Sequence, residues 1–123
     1  MFEKRELARE HLKFENNLFA QRLVPWPLLN APFEGSWCVI APGTASTPHA
    51  HHEYEIFIAM KGKARLETGG KSIDFNVGDI VHFTPGTDHS IVNDGTEPFE
   101  MYSVWWDAPM AENFLKKHVA TEN

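Results

Sequence analysis

Four side chains in this sequence carry donor atoms at spacings that can hold one cation: His49, His51, Glu55 and His89. On an extended segment His49 and His51 lie two residues apart, so they project from one face, roughly 7 Å apart along the chain. Two imidazoles can then reach one ion. Glu55 keeps the same parity, and a bend after His51 would bring its carboxylate in as a third ligand. His89 is the fourth. The turn signals Gly78-Asp79 and Thr84-Pro85-Gly86 stand ahead of it, and Asn93 follows four residues later, so strands punctuated this way can fold back onto the first stretch. Three neutral imidazoles and one carboxylate offset only part of a divalent charge, and a bound oxygen atom would still feel a strong Lewis acid. Four nitrogen and oxygen ligands in an octahedral site leave positions for water, dioxygen or a chelating substrate. One divalent transition metal ion per chain is expected, with iron, zinc, manganese, nickel, cobalt and copper all eligible. Glu55, the anionic member, is also the candidate catalytic residue, because it tunes the residual charge of the ion and can move between binding and releasing it.

The elements that must position these residues are mostly short strands. Ser36 to Ile40 contains the β-formers Trp37, Val39 and Ile40, and Pro42-Gly43 ends it. Tyr54 to Met60 places Glu55, Phe57 and Ala59 on one face and Ile56, Ile58 and Met60 on the other, which predicts burial on both faces. Lys63 to Thr68 and Lys71 to Phe75 flank Gly69-Gly70, a tight hairpin connection. Asp79 to Thr84, His89 to Asn93 and Phe99 to Trp106 supply further strands, and turns at such intervals favour a sandwich or barrel. Residues 2–19 put Leu7, Phe14 and Leu18 near one helical face, which predicts an amphipathic helix. Pro25, Pro27 and Pro32 turn Leu23 to Gly35 into an extended arm along the barrel, anchored by Trp26 and Phe33. After Asp107, an N-cap candidate, Met110, Phe114, Leu115, His118 and Val119 outline a short helix outside the barrel.

Residues 43–93 carry a family resemblance. Gly43, five residues, His49-x-His51, three residues, Glu55, six residues and Gly62 resemble the first motif of the cupins at every position. Gly78, Gly86, His89 and Asn93 resemble the second, with Thr84 standing where Pro is usual. The resemblance implies an all-β, jelly-roll double-stranded β-helix with short flanking helices, and His49, His51, Glu55 and His89 as metal ligands. The chain is then a single domain over 1–123, with helix and arm over 1–35, barrel over 36–107 and C-terminal helix over 108–123. Cupins with this ligand set include dioxygenases, sugar-phosphate isomerases, epimerase-like enzymes, lyases and decarboxylases, so the reaction class stays open, with oxygenation leading. A non-catalytic metal- or ligand-binding cupin is the alternative from another class. Leu23-Val24-Pro25-Trp26, Pro32-Phe33, Trp37-Cys38 and Trp105-Trp106-Asp107 also resemble the cupin portion of hydrazine synthetases, where a zinc cupin forms a nitrogen–nitrogen bond beside a methionyl-tRNA-synthetase-like domain. Here such a domain would be a separate partner protein.

At 123 residues the chain fits one domain, and its hydrophobic and charged fractions, 42% and 23%, are those of globular proteins. A formal charge of −6 argues against nucleic acid and anionic membranes, both of which need a basic face. The absence of a long apolar run points to a cytoplasmic protein. Cys38, the single cysteine, excludes an internal disulfide or a thiolate cluster. The expected partners are a small molecule and a second copy of the chain. His52, Glu53, His82, Tyr102, Trp37, Met101, Trp105 and Trp106 are weaker pocket candidates, since each depends on barrel register.

Overall fold

The computed structural model describes the backbone of residues 1–122 and the side chains of 1–118. Asn123 and the side chain of Val119 lie outside the described residues. Among the described residues ten strands are present: β1 (Lys13–Glu15), β2 (Leu18–Arg22), β3 (Phe33–Ile40), β4 (Thr44–Ala45), β5 (Tyr54–Lys61), β6 (Lys63–Thr68), β7 (Lys71–Asn76), β8 (Ile80–Phe83), β9 (Ser90–Asn93) and β10 (Phe99–Trp106). Helix α1 (Ala108–Glu122) follows.

The strands form two antiparallel sheets, one in the order β1-β2-β3-β10-β5-β8 and one in the order β4-β9-β6-β7. The inner faces share a core in which Ile40, Phe99 and Met101 from the larger sheet meet Leu66, Phe75 and Ile91 from the smaller. This is the jelly-roll arrangement, in which alternate side chains of both sheets fill the interior. The Gly69-Gly70 hairpin forms as expected: both glycines have positive φ, 56° and 76°, and Thr68 pairs with Lys71 across the turn. Gly62 ends the first motif at φ 87°, where a Cβ would sit 3.0 Å from the Pro98 carbonyl oxygen, so a larger residue meets both strain and a backbone clash.

The N-terminal segment departs from the expected helix. A single 3₁₀ turn (Arg9–His11) precedes a β1–β2 hairpin, whose connection is Asn16-Asn17 at φ 53° and 62°. Asn tolerates this left-handed conformation, and two such residues in succession suit a tight hairpin turn. The apolar period in β2 is two: Leu18 and Ala20 point into the core while Phe19 stays outside. β2 then pairs with β3 from Phe19↔Val39 to Arg22↔Ser36, so residues 13–22 extend the barrel sheet, which therefore starts well before residue 36.

Two smaller expectations are also corrected. The outer face of β5 is not buried: Ile56 and Ile58 are half-buried and Met60 is 43% exposed. Phe33 opens β3 instead of anchoring the arm. Trp26 does act as an anchor, donating its Nε1–H to Glu3 and lying under the Arg5 guanidinium. Asp107 caps α1 as expected, its carboxylate accepting the Met110 N–H.

Candidate metal centre

His49 and His89 are brought face to face by a pair of backbone hydrogen bonds, N to O in both directions, in an isolated bridge that links the two motif segments. The bend at His52-Glu53 then turns the chain so that Glu55 enters β5 pointing inward. The Gly86 N–H donates to the His51 carbonyl, which ties the loop before His89 to the first segment. Thr84, in the usual proline position, joins that loop through its hydroxyl to Thr87. Asn93 is buried, donates to the carbonyls of Ile40 and Glu97, and accepts from Gly95, so its work is to staple β9 to β3.

The four candidate ligands converge: one donor atom from each of His49, His51, Glu55 and His89 lies within 4.8 Å of every other. His49 and His89 both point Nδ1 at a carbonyl oxygen, Thr47 at 3.0 Å and Thr87 at 2.9 Å. A carbonyl only accepts, so each Nδ1 carries the proton and each neutral ring keeps its Nε2 lone pair for the centre. Glu55 Oε1 stands 3.0 Å from His51 Nε2 and 2.9 Å from His89 Nε2. The contact with His89 lacks hydrogen-bond geometry, and His89 Nε2 is a buried nitrogen with no hydrogen-bond partner, as is His51 Nδ1. Two lone pairs that close need a cation between or beside them. Burial works against the imidazolium of His89, but the Glu55 carboxylate and the Thr87 carbonyl outweigh it and raise its pKa. A proton is thus one solution, although the poor alignment disfavours it. A metal off the line joining the two atoms is the other, since neighbouring ligands of an ion at about 2.1 Å are about 3 Å apart. The donor set therefore fits a divalent transition ion.

Around this cluster the walls are aromatic and small-polar. Phe83 stacks on the His89 ring at 4.2 Å and Phe57 meets it edge-on at 5.4 Å. A cavity of about 250 Å³ opens over His49, His51 and Glu55. Its upper wall includes Ser36, Cys38, Ser103 and Trp105. Burial pushes the Cys38 thiol up to about 11, against the smaller opposing effect of its contacts with Ser36 and Ser103, so it stays protonated at neutral pH.

The weaker pocket candidates divide by strand parity. Met101 and Trp105 line the cavity. Trp37 and Tyr102 pair edge-to-face on the opposite side of the sheet, with Trp37 Nε1 bonded to Glu100. His82 and Trp106 belong to an outer stack with Tyr54. His52 is exposed and Glu53 half-exposed at the bend, outside the four-residue cluster. Sequence reasoning missed Glu15, Asn16, Leu18 and Arg22, which close the cavity from the N-terminal hairpin. The signal was present in Asn16-Asn17, flanked by alternating residues.

Comparison with known proteins agrees with this construction. The cupin-domain family model matches residues 36–105. A Cupin 2 conserved barrel domain protein from Salinispora arenicola CNS-205 is 54% identical, covers 96% of this chain and 99% of its own, and superposes with a TM-score of 0.86. The plu4264 protein from Photorhabdus luminescens is 33% identical over 95% of this chain and 98% of its own, with a TM-score of 0.84. A predicted oxalate decarboxylase from Thermotoga maritima is 27% identical over 58% of this chain and 64% of its own, with a TM-score of 0.56. With motifs, fold and relatives in agreement, the chain belongs to the cupin family.

Proposed function

We propose that this protein is a metal-dependent enzyme acting on a small polar molecule, with His49, His51, Glu55 and His89 as metal ligands. The observation that carries the reading is the buried, orphaned His89 Nε2 beside the carboxylate of Glu55, which itself lines the cavity. A bound ion there would supply Lewis acidity, or sites for dioxygen and substrate together, and oxygenation is the first class to assay. The chain's own residues set the conditions. Thr47 and Thr87 hold the ring tautomers of His49 and His89. Phe57 and Phe83 pack against the buried side of the cluster, while Ser36 and Ser103 line the substrate side, their hydroxyls donating to the Trp37 and Ser36 carbonyls and keeping oxygen lone pairs to accept. The cavity lies below the ~300–1,000 Å³ of sites for drug-sized ligands, which suits a small metabolite.

Elemental analysis of purified protein should find close to one transition metal ion per chain. Replacing His49 and His51 together by Ala should abolish it, and unchanged metal content in that variant would sink the assignment. Metal bound without any turnover across candidate substrates would favour the non-catalytic, ligand-binding alternative.

A second reading, zinc-dependent nitrogen–nitrogen bond formation with a methionyl-tRNA-synthetase-like partner, draws on Cys38 and Trp105, which are cavity residues. The other matched tryptophans face away from the cavity, as described above. Zinc content together with co-purification of such a partner would raise this reading above oxygenation.

We also propose a cytoplasmic homodimer. Met110 and Phe114 of α1 remain 48% and 58% exposed, and with Phe33 and Trp106 they line an apolar groove of about 410 Å³ that a second copy would cover symmetrically. Among the described residues no helix is long and apolar enough to cross a membrane. Light scattering at low micromolar concentration should give twice the chain mass, and a strictly monomeric mass would overturn the dimer.

A further inference from the structure

The cavity above the His/Glu cluster is closed on one side by the N-terminal hairpin, which brings in one permanently charged cation, Arg22. Its place is set by three neighbours. Arg22 lies opposite Ser36 in the β2–β3 pairing, and Ser36 in turn faces Ser103 on β10. Its Nε–H donates to Glu15 Oε1 at 2.9 Å. Its guanidinium carbon lies 5.3 Å from the centroid of the Trp105 ring. Trp105 itself pairs with Glu55 across β10 and β5, so the ring bridges the distance between the arginine and the ligand carboxylate. Among the described residues, neither Nη group of Arg22 has a hydrogen-bond partner.

The arrangement is that of a guanidinium fixed by its inner edge and by a ring, with the outer fork of N–H groups left over. Such a fork matches a planar carboxylate through two parallel hydrogen bonds. The side chain of Arg22 is 44% exposed, whereas those of Glu55 and His89 are 6% and 2% exposed, so Arg22 stands at the open end of the cavity and the cluster at its closed end. Glu15 does not cancel the charge. Lys13 Nζ lies 3.7 Å from its other oxygen, leaving a local excess of one positive charge over Lys13, Glu15 and Arg22.

We propose that Arg22 recognises a carboxylate on the substrate, which is therefore a small molecule with a chelating oxygen group at one end and a carboxylate at the other. The proposal rests on the reading of the His/Glu cluster as a metal site. A carboxylate is favoured over a phosphate because Glu15 and Glu55 line the same cavity, and a dianion would meet more repulsion from them than a monoanion.

The test separates the two ends of the ligand. Nickel-loaded protein under argon is titrated calorimetrically with malate and 2-hydroxyglutarate, and with the monoacids 2-hydroxybutyrate and 2-hydroxyvalerate, which keep the chelating end and lack the distal carboxylate. At least one diacid should bind about tenfold more tightly than its monoacid, the size expected of a charge-assisted pair that is partly exposed. In Arg22→Met that gain should vanish, while monoacid affinity changes by less than about twofold and circular dichroism reports an unchanged fold. Glu15→Gln, which keeps an amide oxygen for the Arg22 Nε–H but removes a competing negative charge, should strengthen diacid binding; if Arg22→Met misfolds, unchanged or weaker diacid binding in Glu15→Gln would overturn the proposal. An absence of diacid preference in the wild-type protein, or its persistence in Arg22→Met, would overturn the role of Arg22. Tighter Arg22-dependent binding of 3-phosphoglycerate than of malate would overturn the carboxylate class. Failure of the metal reading looks different: diacids would still need Arg22, but affinity for every acid would be the same with and without nickel.

Discussion

Replacing Glu55 by Gln is the substitution that separates a metal ligand from a buried structural acid. The variant keeps the shape of the side chain and an oxygen able to face the His51 ring, but removes the only negative charge among the four clustered donors. Loss of a residue that merely orients a ligand costs about 10–100-fold in metal affinity, so loss of charge on the ligand itself should cost at least about 100-fold. That factor can be read as heat stability. With free metal buffered at about 100 times the wild-type Kd, binding should stabilise the native chain by about 2.7 kcal/mol. For 123 residues the unfolding entropy is about 0.26 kcal/mol/K, so the wild-type Tm should rise by about 10 °C. At the same free metal concentration the variant sits near its own Kd, gains about 0.4 kcal/mol, and its Tm should rise by only about 2 °C. Thermal melts followed by circular dichroism, each with and without metal buffer, supply the four values. The metal-free Tm of the variant isolates any effect on the fold alone. Equal metal-induced rises in the two proteins would refute the assignment of Glu55 as a ligand.

Two further outcomes follow from the scaffold. The Glu100 carboxylate, buried under the Arg9 guanidinium and the Trp37 indole N–H, is held below its usual pKa mainly by the hydrogen bonds from Arg9, against the opposing pull of burial. A depressed carboxylate adds stability above its unfolded pKa of about 4.3 and loses it as pH falls through the lower folded value. Glu100→Gln should therefore flatten the acid limb of a Tm-against-pH curve below about pH 4.5, and an unchanged limb would refute it. Asn93→Ala removes the side-chain partner of two carbonyls and of the Gly95 N–H inside the barrel. It should cost about 2–4 kcal/mol in a urea melt, and a loss under about 1 kcal/mol would show that water replaces the amide.

That His49, His51 and Glu55 converge was legible because their geometry is local, whereas His89 joins them through a long-range bridge. His-x-His and the following Glu are spaced by strand parity plus one bend, and the glycines that end the motifs mark turns that the backbone cannot make otherwise, as Gly62 shows against Pro98. The strands β5 and β10 were legible to within a residue, since β-branched and aromatic runs ended by Gly or Pro leave few alternatives, whereas β3 begins three residues before the expected Ser36. The N-terminal segment was misread because Leu7, Phe14 and Leu18 satisfy a helical period, yet Leu18 and Ala20 alternate with outward-facing residues once β3 offers an edge. An open sheet edge lets β2 pair with β3 while Leu18 and Ala20 enter the core, whereas a helix without a packed face is only marginally stable in water, so tertiary pairing overrides the local preference.

The cavity wall was illegible for a further reason, and it bears on function. Whether Trp105 or Trp106, Trp37 or Cys38, faces the His/Glu cluster depends on one-residue register, and register is set by long-range pairing: Trp105 to Glu55 on one side and to Glu34 on the other. Glu55 must face inward to reach the histidines, so its cross-strand partner Trp105 must as well, and β3 follows through Ser36 and Cys38. The same parity carries across to Ala20 and Arg22 on β2. A single constraint, the inward Glu55, therefore propagates through three strand pairings to the arginine at the cavity mouth. Changing the β1–β2 turn should alter what the site binds without touching the His/Glu cluster. Deleting one residue from Asn16-Asn17 would disturb the register of Arg22, and metal content should survive while the diacid preference disappears; retention of that preference would mean that the hairpin is only a cover.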